Sequence, residues 1–270
     1  LEYPSKFNVG YCPPISELGK SWLGLSSISN KKCLFLGKQV YNMPSTSLEK
    51  DLLEIPDLPM LLERLHHRLD DEKIQRQEFR SWVSEDVKGE FINGNVVMHS
   101  PTTEEHNEAT GHLYCISSIY ADLKQLGKVR VEKALVGMTR NDYEPDIAFW
   151  RKEVANHFQP NMNVYPIPDL VIEVLSPGVE NIKRDTKIKF ADYAAHLIPE
   201  YWIVDPRKKT VEQYLLSDTE ARTYELHKKV AIQDQIESTV LIGFAIPVKA
   251  IFDAETNALT IQQFITNLSK

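Results

Sequence analysis

The pattern of apolar and polar positions changes character near Lys88. Before it, residues 1–59 carry only short apolar runs, such as Cys33-Leu34-Phe35-Leu36, among Pro13-Pro14, scattered glycines and Ser26, Ser27 and Ser29. That composition predicts an irregular N-terminal arm with a strand or two at most. From Leu58, Leu61, Leu62, Leu65 and Leu69 recur at helical spacing with charges between them. The spacing predicts a short amphipathic helix packed on the main domain. After Lys88, Glu90-Phe91-Ile92 and Asn95-Val96-Val97 flank Asn93-Gly94, the dipeptide suited to the positive φ angles of a type I′ turn, so a β-hairpin is expected. Thr102 or Thr103 can cap a helix that carries Glu104 and Glu105 in its first turn. Ala109, Leu113, Ile116, Tyr120 and Leu123 form its apolar face, and it should end near Gly127. Extended segments follow at 129–136, 145–150 and 170–175, then a helix at 182–197 and a hairpin of 201–204 with 210–215. The hairpin turns at Asp205-Pro206-Arg207-Lys208-Lys209. The order to that point is ββαβββαββ, and the tail adds strands at 221–230 and 239–246 and a terminal helix over 258–268.

Composition narrows the class without naming a function. The 270 residues include 42% apolar and 26% charged side chains, enough to bury a sizeable core and to exclude disordered, collagen-like and membrane-channel classes. No apolar run approaches the roughly eighteen residues that would cross a bilayer, and the first thirty residues carry no signal-peptide pattern, so no membrane association and a cytoplasmic location are expected. The chain opens on Leu1 rather than Met, and no function is attached to its first residues. Cys12, Cys33 and Cys115 are odd in number and widely spaced, which suits a reducing compartment and neither a disulfide framework nor a zinc knuckle. With 31 basic against 38 acidic side chains the net charge is −7, so any polyanion must be met by a local basic face or by bound cations.

Carboxylates in apolar strands are the candidate chemistry. In Leu170-Val171-Ile172-Glu173-Val174-Leu175, alternation puts Val171, Glu173 and Leu175 on one face and Leu170, Ile172 and Val174 on the other. An ionised carboxylate there costs several kcal/mol unless a cation, a proton or hydrogen-bond donors compensate it. The bland alternative is a strand end where Glu173 reaches solvent or pairs with a lysine. Asp146 follows Pro145 at the mouth of the Ile147-Ala148-Phe149-Trp150 strand, on the face opposite Ile147 and Phe149. If those strands are neighbours, the two acids converge as hard oxygen ligands for Mg²⁺ or Mn²⁺; Asp146 alone reads more readily as a turn-favouring residue before a strand. Glu90 opens the hairpin, and His106 lies in the first turn of the first helix, as a ligand, a proton carrier or a surface residue. His66, His67 and His99 are weaker candidates. Asp185, Lys189 and Tyr193 share a helix face at four-residue spacing, although a solvated salt-bridged face would explain the first two. Arg184 and Lys187, with Arg207, Lys208 and Lys209, could form a phosphate-binding patch.

Taken in order, Gly89-Glu90-Phe91-Ile92-Asn93-Gly94, Ser100-Pro101, His106, Pro145-Asp146-Ile147-Ala148-Phe149, the Pro168–Pro177 stretch around Glu173, Asp185, Lys189-Phe190, Tyr193 and Glu200-Tyr201-Trp202-Ile203-Val204-Asp205-Pro206 resemble the Uma2 family of the PD-(D/E)XK restriction-endonuclease-like superfamily. The resemblance runs from about Lys88 to Leu216 and covers neither the arm nor the end of the chain. It implies an α/β (α+β) fold: a restriction-endonuclease-like core, residues 60–270, with a central mixed β-sheet flanked by helices, plus an N-terminal extension over 1–59. It also implies metal ligands at Asp146, Glu173 and the Val174 carbonyl, with Glu90 as a further or second-metal ligand. The superfamily's usual lysine two residues after the second acid is replaced by Leu175, and Lys189 is the match from the following helix, with Lys187 close by. His106 matches a family histidine without an assigned role.

The activity implied is Mg²⁺-dependent hydrolysis of phosphodiesters, Mn²⁺ substituting, on nucleic acid and on DNA before RNA, with a homodimer expected because superfamily enzymes that cut both strands often pair. The alternatives are a degenerate nuclease fold that binds nucleic acid or a protein without cutting, and a metal-free hydrolase using Asp146 and Glu173 as an acid/base pair.

Overall fold

The structure is a computed structural model that describes residues 47–83, 87–99 and 101–268. Most of the arm expected over residues 1–59, together with Cys12, Cys33 and Ser100, lies outside the described residues. The chain divides into two units, Leu1–Leu58 and Pro59–Lys270. In the first, α1 spans Ser47–Leu53. Helix α2 runs from Leu58 to Trp82, and all but its first residue belongs to the second unit.

The β-hairpin is formed by β1 (Gly89–Ile92) and β2 (Asn95–Met98). Asn93 and Gly94 take φ of 51° and 81°, the left-handed pair that a type I′ turn requires. Helix α3 (Glu104–Lys124) is capped by Thr103, and its Ala109, Leu113, Ile116 and Tyr120 are buried as their spacing predicts. Next come β3 (Gly127–Val131), β4 (Leu135–Gly137), β5 (Asp142–Tyr143), β6 (Ile147–Arg151), the short α4 (Lys152–Ala155), β7 (Val164–Tyr165) and β8 (Leu170–Val174). A continuous helical stretch follows as α5 (Val179–Lys183), a π-helical turn over Arg184–Lys189, and α6 (Phe190–Ala195). The remainder is β9 (Glu200–Asp205), β10 (Thr210–Asp218), β11 (Thr223–Ala231), β12 (Gln235–Glu237), β13 (Ala245–Pro247), α7 (Lys249–Phe252) and α8 (Ala254–Leu268). No described helix is long and apolar enough to cross a membrane.

The strands form a six-stranded sheet ordered β11-β10-β9-β8-β6-β3, a five-stranded sheet ordered β2-β1-β5-β4-β7, and the pair β12-β13. In the larger sheet β8 and β9 are parallel and the other described pairs antiparallel, so the sheet is mixed. This is the α/β class expected. Strand β8 is buried along its whole length because both faces are covered. Leu170, Ile172 and Val174 join one core cluster with α3, α7 and the β13 region, whereas Val171 and Leu175 join a second with Tyr193, Ala194 and the smaller sheet. Alternation thus delivers Glu173 to the second face.

Four expectations are corrected. The single strand expected at 129–136 is two strands in different sheets, because Glu132 turns left-handed at φ 61° and donates its N–H to the Asp146 carbonyl at 3.0 Å. The strand expected at 239–246 is interrupted: the N–H groups of Thr239 and Val240 donate to Glu200 Oε2 (2.8 and 3.0 Å) instead of a ladder. The terminal helix starts four residues before the expected Ala258, capped by Asp253, which accepts from the Thr256 N–H. Helix α2 is long rather than short, and Leu62, Leu65 and Leu69 are exposed. It is fastened by its C-terminal half, where Phe79 packs on Phe91 and Leu135. There Arg76 and Arg80 both fork onto the buried Asp142 and Arg140 forks onto Glu72.

Glu200 is the densest polar junction of the second unit. Its Oε1 accepts from Trp202 Nε1 and Gln213 Nε2, both at 2.6 Å. Its Oε2 accepts from Ser238 Oγ, Thr239 N and Oγ1, and Val240 N at 2.8–3.0 Å. The glutamate of the Glu-Tyr-Trp motif therefore fastens the large sheet to the C-terminal segment.

Candidate active site

Strands β6 and β8 are antiparallel neighbours, with Ile147 opposite Ile172. That pairing sets Asp146, just before β6, beside the end of β8, where the Val174 N–H donates to Asp146 Oδ2 at 2.8 Å. Asp146, Glu173 and Val174 line one cleft of about 400 Å³, together with Lys88, His106, Ser176, Arg184, Asp185 and Lys189.

The helical stretch after β8 supplies the cation. Lys189 is buried, and its Nζ lies 3.0 Å from Glu173 Oε1, 2.9 Å from Glu90 Oε1 and 3.5 Å from Asp185 Oδ1. Tyr193 Oη donates to the same Glu173 oxygen at 2.8 Å. Lys187 is exposed. The π turn that carries Asp185 and Lys189 is an interruption of α geometry of the kind that recurs at functional sites. Glu90 stands behind the cleft rather than among its lining residues: it takes Lys189 and the Glu144 N–H (3.1 Å) on Oε1, with His99 Nε2 3.2 Å from Oε2.

A second group faces Asp146. Ligand atoms of His106, Glu132 and Asp146 lie within 4.8 Å of one another. His106 Nε2 is 3.6 Å from Asp146 Oδ1 and 3.9 Å from Glu132 Oε1, too far for a hydrogen bond, and this buried nitrogen has no hydrogen-bond partner among the described residues. Its Nδ1 is 3.2 Å from Ser176 Oγ. Lys88 bonds to Glu132 and approaches Asp146 Oδ1 at 3.3 Å.

The electrostatics follow from five carboxylates facing two ammonium groups. Burial, partly offset by Lys189, pushes the Glu173 carboxyl up to about 8 and Asp185 up to about 6. Burial also opposes ionisation of Asp146, but His106 and Lys88 hold it well below the usual carboxylate range. At Glu90 burial is outweighed by Lys189 and His99, which bring it down to about 2. At His106 burial is outweighed by Asp146 and Glu132, which raise the imidazole to about 9. Such a field attracts cations and holds neighbouring acids in different protonation states.

Asp146, Glu173, Val174, Lys189 and His106 are therefore brought to one cleft, with Glu90 behind it. His66 and His67 lie exposed on α2 and are not among the residues that line the cleft. Arg207 and Lys208 pair with Asp205 in the hairpin turn, whereas Arg184 lines the cleft. Sequence reasoning missed Glu132, Lys88 and Ser176. The one available signal was the Glu132-Lys133 pair, two adjacent charges that break the strand alternation begun by Val129-Arg130-Val131.

The Uma2 family, described as "Putative restriction endonuclease", matches residues 76–249. Among curated proteins, none matches the chain. Among solved structures, the chain is similar to the crystal structure of a putative nuclease belonging to DUF820 from Anabaena variabilis ATCC 29413, with a TM-score of 0.52 and 15% identity over 65% of this chain and 96% of that one. At that identity the likeness is one of fold.

Proposed function

The chain belongs to the Uma2 family, and from that membership we propose that it is a divalent-metal-dependent endonuclease hydrolysing phosphodiester bonds of DNA. The observation that carries the reading is the convergence of Asp146, Glu173, Val174 and the buried Lys189 on one cleft. The donor set suits a hard divalent cation: carboxylate oxygens, a backbone carbonyl, and more negative than positive groups. Asp146, Glu173 and the Val174 carbonyl would hold Mg²⁺, with Mn²⁺ able to substitute. Bound there, such an ion supplies Lewis acidity and lowers the pKa of a coordinated water.

The chain's own residues do the rest. The Val174 N–H on Oδ2 fixes the Asp146 carboxylate, leaving Oδ1 toward His106 and Lys88. Lys189 and Tyr193 both bind Glu173 Oε1, which fixes that carboxylate. Lys189 also lines the cleft, where its ammonium can take up charge developing on a phosphate. Glu90 enters this reading by holding Lys189 in the interior. Arg184 at the rim can meet the phosphate backbone, which makes binding salt-dependent and largely blind to sequence.

Supercoiled plasmid and single-stranded DNA, each incubated with Mg²⁺, Mn²⁺ or EDTA, test this with wild type and Asp146→Ala. Nicking or degradation by wild type alone, abolished by EDTA, is expected. One observation favours a second reading, a module that binds without cutting: both lysines of the cleft are already committed to carboxylates. Retention of DNA by folded wild type with no cleavage under any metal would decide for it.

A further inference from the structure

We propose that the cleft has a second cation position, in which His106 Nε2, a Glu132 carboxylate oxygen and Asp146 Oδ1 take a divalent first-row transition ion. It rests on the metal-dependent reading above and deepens it, sharing Asp146 with the Glu173 side. Three features carry it beyond a cluster of acids. First, His106 is only 2% exposed, and its Nε2 has no hydrogen-bond partner among the described residues. A buried ring nitrogen left open toward two carboxylates is an unmet interaction that an ion would complete. Second, the ring is oriented for it: Nδ1 lies 3.2 Å from Ser176 Oγ, so an incoming ion that displaces the Nε2 proton meets a ring whose Nδ1–H the hydroxyl can hold, the usual outer support of a ligating histidine. Third, Glu132 is fixed relative to Asp146 through the backbone, its left-handed N–H donating to the Asp146 carbonyl.

The resident cation is Lys88, whose ammonium joins Glu132 and Asp146, and an incoming ion must displace or share with it. An imidazole beside two carboxylates selects against Mg²⁺, which favours all-oxygen shells, and for Mn²⁺ and the later transition ions.

The test uses the full chain without DNA and Mn²⁺ as the probe. Free Mn²⁺ is counted by its electron paramagnetic resonance signal, and bound Mn²⁺ is examined for nitrogen coupling by electron-spin-echo modulation. Nitrogen coupling is expected in wild type and in Glu173→Gln. His106→Gln should abolish it, with affinity at this site falling at least about tenfold there and in Glu132→Gln. Lys88→Met should tighten binding, and it keeps the proposal testable if His106→Gln fails to fold. Bound Mn²⁺ without nitrogen coupling in wild type, or no Mn²⁺ binding at all, overturns the site. DNA that stays uncut while nitrogen coupling persists sinks the nuclease reading alone; Mg²⁺-dependent cleavage without the coupling sinks this site alone.

Discussion

Lys189 buries an ammonium group among Glu90, Glu173 and Asp185. The carboxylates hold its pKa well above the ordinary value against the opposing effect of burial, so it is charged throughout the usual pH range. Removing one partner from a buried ionic group leaves the others uncompensated, at a cost on the order of 3–5 kcal/mol. Lys189→Met should therefore lower the free energy of urea unfolding by about that much, whereas Lys187→Met, at an exposed position, should change it by less than about 0.5 kcal/mol. Equal effects would mean that Lys189 is not the internal cation. At this scale Asp146, Glu173 and Lys189 were legible because each breaks a local rule: a charge in an apolar strand, or a helical face repeating Asp, Lys and Tyr. Glu132 was hidden because residues 129–136 read as one strand, and only the left-handed turn at Glu132 aims it at Asp146. Lys88 was hidden because a lysine before a strand is ordinary in any surface loop.

Between elements, local pattern located the pieces better than it located their contacts. The hairpin turn and the apolar face of α3 follow from residues that touch one another through the local backbone. The docking of α2 does not, since it depends on Asp142, 62 residues beyond Arg80 in the chain. The leucines that make α2 look packed are exposed, and the fastening is Phe79 in its own small core together with two arginines on Asp142. Burial raises the Asp142 pKa, but Arg80 and Arg76 outweigh it and hold the carboxyl below its ordinary 3.8. A folded-state pKa below the unfolded one contributes stability above about pH 3.8 that is lost as pH falls through the depressed value. Asp142→Asn should thus lose about 3–5 kcal/mol at pH 7, and the gap to wild type in urea unfolding should narrow below about pH 4. A gap independent of pH would show that the two arginines dock through packing rather than charge. The π turn after β8 also escaped the sequence, since its residues fit an unbroken 3.6-residue pattern equally well.

Across the whole molecule, two core clusters on opposite faces of the six-stranded sheet hold the cleft at the shared ends of β6 and β8. Glu200 spans the same layers with a different logic from Glu173: hydrogen bonds to both oxygens, four of them on Oε2, and no cation among the described residues. Glu200→Gln would turn one acceptor into a donor facing donors, at a cost of about 1–3 kcal/mol or more for a buried group. Thermal unfolding should report that loss while the Mn²⁺ titration curve stays as in wild type; an altered titration would mean that the clasp shapes the cleft. The clasp also sets an order of events at synthesis. Glu200 emerges 39 residues before Thr239, a delay of about 2–8 s at ordinary translation rates. Trp202 and Gln213 can satisfy one oxygen at once, but the other waits for residues 238–240. Until they arrive, closing the core over β9 would leave half a carboxylate unmatched, at a cost of about 1–3 kcal/mol, so residues 238–240 complete this layer last.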